Sequence, residues 1–399
     1  MSPDAATCTL VNRFYPPNPS ITGHAAAELA GFLSAAGIRV TSVSVDGRYS
    51  GGVSGSDGSS HGGGEVARVG LPAVCESRRA LPRLAGALVE GWALARTLDR
   101  GVVIGLTDPP LLNWWLARHC ARKKIPWICW SMDLYPDAFA SAGLISRDHF
   151  IYRGIYDRLR RQPPQHLIAL GRGQAAYLRQ SPGWNVPTTI LPCGIHSETR
   201  APEPPAWHPG PQKIVLGYLG NIGQAHDPQF VSSVMRALNP EKHLLVLSTY
   251  GAHTSRLLQE ASHHHAVKIV DHVPRHGLGW IDIHLVSLDP GWDHVCVPSK
   301  AVSAVCSGAA LLGCLTDGND TWQQLGRAGW RISPTSDLDS AVREWIRSLS
   351  PEDLAARKRE AESLALHLRR QRDHAFAEIE AAVRNLSRAH RTPRTPVAA

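Results

Sequence analysis

No two of the eight cysteines in this 399-residue chain are spaced as C-x-x-C. Cys8, Cys75, Cys120, Cys129, Cys193, Cys296, Cys306 and Cys314 stand singly, most of them in apolar runs. That argues against a zinc site or a disulfide framework and for free buried thiols in a reducing compartment. A charged segment leading into an apolar one is missing from the N-terminus, so no secretory leader is expected. Long apolar runs are missing too. The best, from Val302 to Leu315, is broken by Ser303, Ser307, Gly308 and Gly313 and is too short to span a bilayer. The expectation is a cytoplasmic protein, soluble or resting on the inner face of a membrane. Acidic residues are in deficit: 34 Asp and Glu against 42 Lys and Arg leave a formal net charge of +8. Such a chain favours anionic partners. The charge is spread along the chain and accompanies no known binding module, so nucleic acid is not an expected partner.

What is present is enough for a large core. Hydrophobic residues make up 43% and charged residues 19%, and the length suggests two domains. Strand-like runs at 7–13, 38–45, 66–69, 101–106, 127–130, 166–169 and 188–191 alternate with helical spacing at 24–36, 81–98, 111–123 and 150–159. The Gly- and Ser-rich stretch 47–64 reads as a mobile loop or linker. Prolines at 202–211 suggest an interdomain linker. Strands at 214–219, 244–248, 267–270 and 283–287 follow, with helices at 301–309, 339–348 and 351–384. This double alternation predicts an α/β fold of two Rossmann-like parallel-sheet domains facing across a cleft. The expected division is 1–200, 201–365, a C-terminal helix at 366–385 returning to the N-domain, and a flexible basic tail at 386–399.

Two segments point to a diphosphate. Leu216-Gly217-Tyr218-Leu219 is an apolar strand running into the glycine turn Gly220-Asn221-Ile222-Gly223. Pro298-Ser299-Lys300 opens a later helix. Glycines let the backbone approach a phosphate, a helix start offers free N–H groups, and the lysine adds charge. The turn lacks the G-x-G-x-x-G spacing of a dinucleotide site. No aspartate pair reads as a metal ligand set, and His263-His264-His265 reads more simply as a solvated helix end. No metal and no cofactor are expected.

Five segments in order resemble the GT-B glycosyltransferases of the large family 4 group, especially bacterial polysaccharide and lipopolysaccharide enzymes. They are Thr107-Asp108-Pro109-Pro110-Leu111, Asp133-Leu134-Tyr135-Pro136-Asp137 with the preceding Ile125-Pro126-Trp127, Leu191-Pro192-Cys193-Gly194-Ile195, Gly220 to Asp227, and Pro298-Ser299-Lys300. The resemblance implies a retaining, metal-independent transfer of a hexosyl-type sugar from a nucleoside-diphosphate donor. The acceptor would be a glycan, a lipid-linked glycan or a small molecule. It also implies site residues. Gly23, Gly220, Asn221, Gly223, Gln224, Pro298, Ser299, Lys300 and Ser303 would contact the donor, and Asp133 the acceptor. Lys300 and Asp133 would carry the chemistry. Each has a plainer reading: Lys300 as a solvated helix-start lysine, Asp133 as a turn cap, Gly23 as an ordinary turn glycine.

Two departures bear on activity. Ser303 stands where the family's glutamate accepts hydrogen bonds from the donor ribose, and Gln224 where an arginine is common. A serine cannot span two hydroxyls as a carboxylate does. A non-catalytic GT-B subunit supporting an active partner is therefore the alternative, and a sugar-nucleotide epimerase of the same fold a third reading. The segments 114–124 and 152–161 mix aromatic and cationic residues, and peripheral membrane contact is an expected partner interaction.

Overall fold

The computed structural model describes residues 5–46, 65–74, 80–335 and 337–391, so the glycine-rich stretch 47–64 and the tail from 392 lie outside them. The chain divides into two compact units, Met1–Cys193 with Asp373–Ala399, and Gly194–Arg372.

The first unit runs β1 (Thr7–Val11), α1 (Ile21–Ala35), β2 (Arg39–Asp46), β3 (Ala67–Pro72), α2 (Ala80–Arg96), β4 (Val102–Gly105), α3 (Leu112–Lys123), β5 (Trp127–Ser131), α4 (Asp137–Ser141), α5 (Phe150–Arg161), β6 (His166–Ala169), α6 (Arg172–Gln180) and β7 (Thr188–Ile190). Its seven strands lie in the order β3-β2-β1-β4-β5-β6-β7, with parallel pairing throughout. Strands β4, β5 and β6 are buried at every position, as expected where helices cover both faces of a parallel sheet.

The second unit runs β8 (Ile214–Asn221), α7 (Pro228–Ala237), β9 (His243–Tyr250), α8 (Thr254–Ala261), β10 (Val267–Ile269), β11 (Ile283–Ser287), α9 (Ser299–Cys306), β12 (Ala310–Cys314), α10 (Asp320–Leu325), β13 (Gly329–Ile332) and α11 (Leu338–Ser348). Six parallel strands take the order β10-β9-β8-β11-β12-β13. The run from Val302 to Leu315 is thus a buried helix followed by a buried strand, turned at Gly308 with φ +78°. The proline-rich stretch at 202–211 packs onto this unit. Trp207 joins the Val215–Val246 cluster, and Trp280 Nε1 donates to the Ala201 carbonyl at 3.1 Å.

The last helix, α12 (Pro351–Arg391), continues past the expected end at 384. In the second unit Ala361, Leu364 and Leu368 pack with the buried face of α9, at the three- and four-residue spacing of a helical stripe. In the first unit Phe376, Ile379 and Val383 are buried, with Phe376 5.3 Å from Phe32 between ring centroids. Glu378 accepts from Thr189 Oγ1 at 2.8 Å. Seven cysteines lie among the described residues, none of them in a disulfide and all but Cys296 buried. Burial pushes the Cys120, Cys129 and Cys314 thiols up to about 12, which keeps them protonated and inert. Among the described residues no helix is long and apolar enough to cross a membrane.

Candidate functional site

In an open parallel sheet a ligand crevice forms where the strand order reverses, beyond the C-terminal strand ends. In the second unit that point lies between β8 and β11. Their pairing stops at His284↔Gly217. Past it, β8 stays on β9 as far as Asn221↔Tyr250, while β11 stays on β12 as far as Ser287↔Cys314. The two strands part, and the residues between their ends are those of the glycine segment and the lysine helix. Gly220 and Asn221 still belong to β8, so the turn proper begins at Ile222, two residues later than the composition suggests. Gly220 has φ +89°, a conformation open to glycine at little cost.

Lys300 is not a solvated helix-start lysine. Its ammonium donates to the Tyr218 hydroxyl at 3.0 Å and to the Asn221 carbonyl at 2.9 Å, and it sits 4.2 Å from the centre of the Tyr218 ring. Tyr218 is fully buried. The surrounding protein withdraws solvent from the ammonium and pushes its pKa down to about 7. Next to it His226 is held down at about 3, first by burial and then by the Lys300 charge. It is a neutral imidazole whose Nδ1–H donates to the Ser287 carbonyl at 2.7 Å. The start of α9 is open: Pro298 occupies its cap position, and no side chain caps the first turn. A cation held on a strand end, next to uncapped helical N–H groups, is a receptor for an anion such as a diphosphate.

The loop leading into that helix is pinned. Asp293 accepts from Thr316 Oγ1 at 2.5 Å and from Asn319 Nδ2 at 2.6 Å. His294, with φ +64°, donates from Nδ1 to Asp320 at 2.9 Å, and this bond raises its pKa. On the opposite side of the glycine turn, Gly251 leaves room for Asn221: a Cβ there would lie 2.3 Å from Asn221 Oδ1.

Ser303 is 7% exposed and its hydroxyl donates to the Gly194 carbonyl at 2.9 Å. It therefore ties α9 to the turn at Gly194. His196 Nε2 donates to the Ser303 carbonyl at 3.0 Å, and Arg369 Nε to the His196 carbonyl at 3.0 Å. Gln224 is exposed on the turn. Gly194 has φ +100°, and a Cβ on it would lie 2.6 Å from the Ser299 carbonyl oxygen. Gly194→Ala is thus expected to push the start of α9 away from its place. Nucleotide affinity should fall roughly tenfold and stability by about 1–2 kcal/mol, the cost of a left-handed non-glycine residue. Calorimetric titration and urea unfolding would measure the two effects.

The first unit has its own reversal point, between β1 and β4. Arg13 follows β1, and its backbone N–H donates to the Asp108 carbonyl at 2.7 Å. Its guanidinium pairs with Glu90 at 3.0 Å, and the Glu90 side chain is 1% exposed. Asp108 and Asp133 follow the adjacent strands β4 and β5. Burial, then the Asp133 and Glu90 charges, raise the Asp108 carboxyl to about 7 against the pull of Arg13. Asp133 is open to solvent at its side chain, but the protein mass around it raises its pKa to about 6. Two carboxyl groups poised near neutrality at strand ends suit hydroxyl binding and proton exchange.

The turn that carries Asp133 is anchored by Asp137, which is 2% exposed. Its carboxylate accepts from Tyr152 Oη at 2.9 Å, from Tyr156 Oη at 2.5 Å and from Tyr177 Oη. Burial first, then the Asp137 charge, raises all three phenols, so all three stay protonated as donors. Gly23 lies inside the first turn of α1 rather than in a loop. A Cβ there would come within 3.1 Å of the Phe14 carbonyl group, so its smallness lets α1 close on the 14–15 backbone.

Of the residues expected to contact a donor, Gly220, Asn221, Gly223 and Lys300 meet in the second unit with Pro298 and Ser299 at the start of α9, Gln224 is exposed on the turn, Ser303 is bonded to Gly194, and Gly23 belongs to the first unit. Within the quoted segments stood Tyr218, Asp108, Asp137 and His226, to which the sequence reading gave no role. Arg13, Glu90 and Gly251 carried no local signal, since each acts through a partner far away in sequence.

No family model matches the chain. Among curated proteins it is similar to a probable glycosyltransferase, WbjE, of Pseudomonas aeruginosa, with 22% identity over 287 residues, 65% of this chain and 69% of that one. Among solved structures it is similar to the sucrose-phosphate synthase of Thermosynechococcus elongatus, with a TM-score of 0.68, 13% identity and 96% and 100% of the two chains covered. Another is Anabaena HepE, solved with UDP and glucose, with a TM-score of 0.63, 12% identity and 94% and 100% covered. Two parallel-sheet α/β units and these likenesses give the chain the GT-B fold.

Proposed function

We propose that this GT-B chain, similar to the family 4 glycosyltransferases, moves a sugar from a nucleoside-diphosphate donor to a hydroxyl acceptor with retention of configuration. The observation that carries the reading is the lysine on the strand end: Lys300 beside the uncapped start of α9, at the reversal point of the second unit. HepE was solved with UDP and glucose, which supports a sugar nucleotide as the ligand of this fold. Lys300, Ser299 and the backbone from Gly220 to Gly223 would hold the diphosphate. Pro298 would set the helix start, and Gln224 would border the site.

In the reaction, the bond between the anomeric carbon and the β-phosphate oxygen breaks, and a bond from the acceptor oxygen forms on the same face. The departing phosphate oxygen takes the acceptor proton. The protein's part is to offset the charge that develops on the diphosphate and to fix the acceptor, the second through Asp133. No metal is required in this scheme. The acceptor would be a glycan, a lipid-linked glycan or a small molecule, met in the cytoplasm or at the membrane's inner face.

A second reading rests on Ser303. Its hydroxyl is committed to Gly194, so it offers the ribose less than a glutamate would, and this favours a binding subunit without turnover. Calorimetric titration with UDP, GDP, ADP and dTDP separates the two when followed by NMR of the anomeric centre in the product. Micromolar binding of one nucleotide and an α-linked product from an α-linked donor are expected. Binding without turnover over a broad acceptor panel would favour the subunit reading, and no binding at all would sink both.

A further inference from the structure

Tyr218 stands three residues before the end of β8 with its side chain fully buried, and its hydroxyl reaches the strand end. Burial raises the phenol, so the hydroxyl keeps its proton. It donates that proton to the Asn221 carbonyl, 3.4 Å away, and its oxygen accepts from the Lys300 ammonium at 3.0 Å. The ammonium also donates to the Asn221 carbonyl, at 2.9 Å. Ammonium, hydroxyl and carbonyl form a closed triangle of hydrogen bonds.

An ammonium has three N–H donors. Among the described residues Lys300 commits two of them to the triangle. Its charge also lies over the Tyr218 ring, 4.2 Å from the centre. With two donors and the aromatic face fixed, tetrahedral geometry leaves the third N–H a single direction. Lys300 is half-buried, so that N–H remains within reach of a ligand. Both hydrogen-bond partners are neutral and leave the positive charge in place, whereas a carboxylate would cancel it. The other titratable groups near the pair are Cys296 ahead of α9, His226 on the turn, and Asp227, which faces Tyr218 and caps α7.

We propose that Tyr218 is a positioning residue: its hydroxyl aims the one uncommitted N–H of Lys300, so that the lysine gives a diphosphate a single directed hydrogen bond. Tyr218 itself touches no ligand and acts only through the lysine. An ammonium already aimed needs no reorganisation when the anion arrives, and that is where such a group gains its effect. The proposal deepens the glycosyltransfer reading and rests on it for the identity of the ligand.

Tyr218→Phe keeps the aromatic face under the ammonium and removes only the oxygen. The parent chain, Tyr218→Phe, Lys300→Ala and the double variant would be titrated calorimetrically at about pH 5.5, where the ammonium is charged. The probes are UDP-glucose, GDP-glucose, ADP-glucose, dTDP-glucose and inorganic pyrophosphate. Tyr218→Phe is expected to bind the parent's sugar nucleotide roughly 5–10-fold more weakly, the scale of one hydrogen bond. In the Lys300→Ala background the same substitution should change affinity less than about twofold, because the group it positions is gone. The pH profile of sugar-nucleotide affinity is the second readout. The hydroxyl oxygen favours the charged ammonium, so without it the fall in affinity should begin about 0.5–1 pH unit lower. A loss of packing alone would weaken binding equally in both backgrounds and leave the profile in place. Circular dichroism and urea unfolding check that Tyr218→Phe is folded. Parent-like affinity in Tyr218→Phe, or an equal loss in the two backgrounds with an unmoved profile, would overturn the proposal. If the parent binds pyrophosphate but no sugar nucleotide, and Tyr218→Phe weakens that binding only when Lys300 is present, the aimed lysine stands and the glycosyltransfer reading falls. A parent chain that binds neither probe removes both.

Discussion

Lys300→Ala is expected to lower turnover by roughly 10²–10³-fold, the usual cost of removing one group that stabilises charge developing in the transition state. The ammonium is already in position, bonded to Tyr218 and Asn221, so little reorganisation is needed when a diphosphate arrives. Nucleotide affinity should fall as well, by about 10–150-fold if one charged hydrogen bond of roughly 1.5–3 kcal/mol is lost. The fold should persist, because alanine at a helix start removes no core side chain. Lys300→Arg keeps the charge but not the point geometry, and should recover affinity better than turnover. Unchanged turnover in Lys300→Ala would remove this residue from the mechanism.

The same lysine predicts a pH dependence with a definite sign. In the free protein its pKa lies at about 7 because of burial. A bound diphosphate stabilises the protonated form and raises that pKa, so binding above neutrality requires uptake of a proton. Affinity is then greatest below pH 7 and falls by up to about tenfold per unit above it, until the pKa of the complex is reached. The titration belongs with a nucleotide-sugar, whose esterified diphosphate has no second ionisation in this range. Lys300→Ala should give a flat profile, whereas a flat profile in the parent chain would show that the lysine does not change its charge over this range.

The fold was legible because alternation of apolar strand and helix is local information. Strands 166–169 and 283–287 coincide with β6 and β11. What escaped were β12 and β13 and the short helices α4, α6 and α10. Strand β12 is Ala310–Cys314, joined to α9 by a tight turn at Gly308, so only Ser307, Gly308 and Ala309 separate helix from strand within one largely apolar run. The meeting of the glycine turn with Lys300 was legible because its glycines and its lysine are tied to backbone geometry. Its electrostatics were not. The depressed pKa of Lys300 comes from burial by segments distant in sequence, and the raised pKa of Asp108 comes from burial first and then from the Asp133 and Glu90 charges, against Arg13. Such shifts arise only when the chain has folded.

Asp137→Ala is expected to destabilise the first unit by about 3–5 kcal/mol, the scale seen when one partner of a buried charged network is removed. Three tyrosine hydroxyls would lose their acceptor, and each unsatisfied buried donor carries its own desolvation cost. Asp137→Asn retains the shape and one acceptor oxygen, so its loss should be smaller, about 1.5–3 kcal/mol, the worth of a charged hydrogen bond. The functional effect separates a positioning role from a merely structural one. Asp137 fixes the turn that carries Asp133, four residues earlier. In Asp137→Asn, assayed well below its unfolding midpoint, KM for the acceptor should rise while nucleotide affinity in the second unit stays at the parent value. Tyr177→Phe removes one donor without adding a charge and should give the same pattern in weaker form. A variant that loses stability with acceptor KM unchanged would reduce Asp137 to a core residue and would detach the Asp133 turn from acceptor binding.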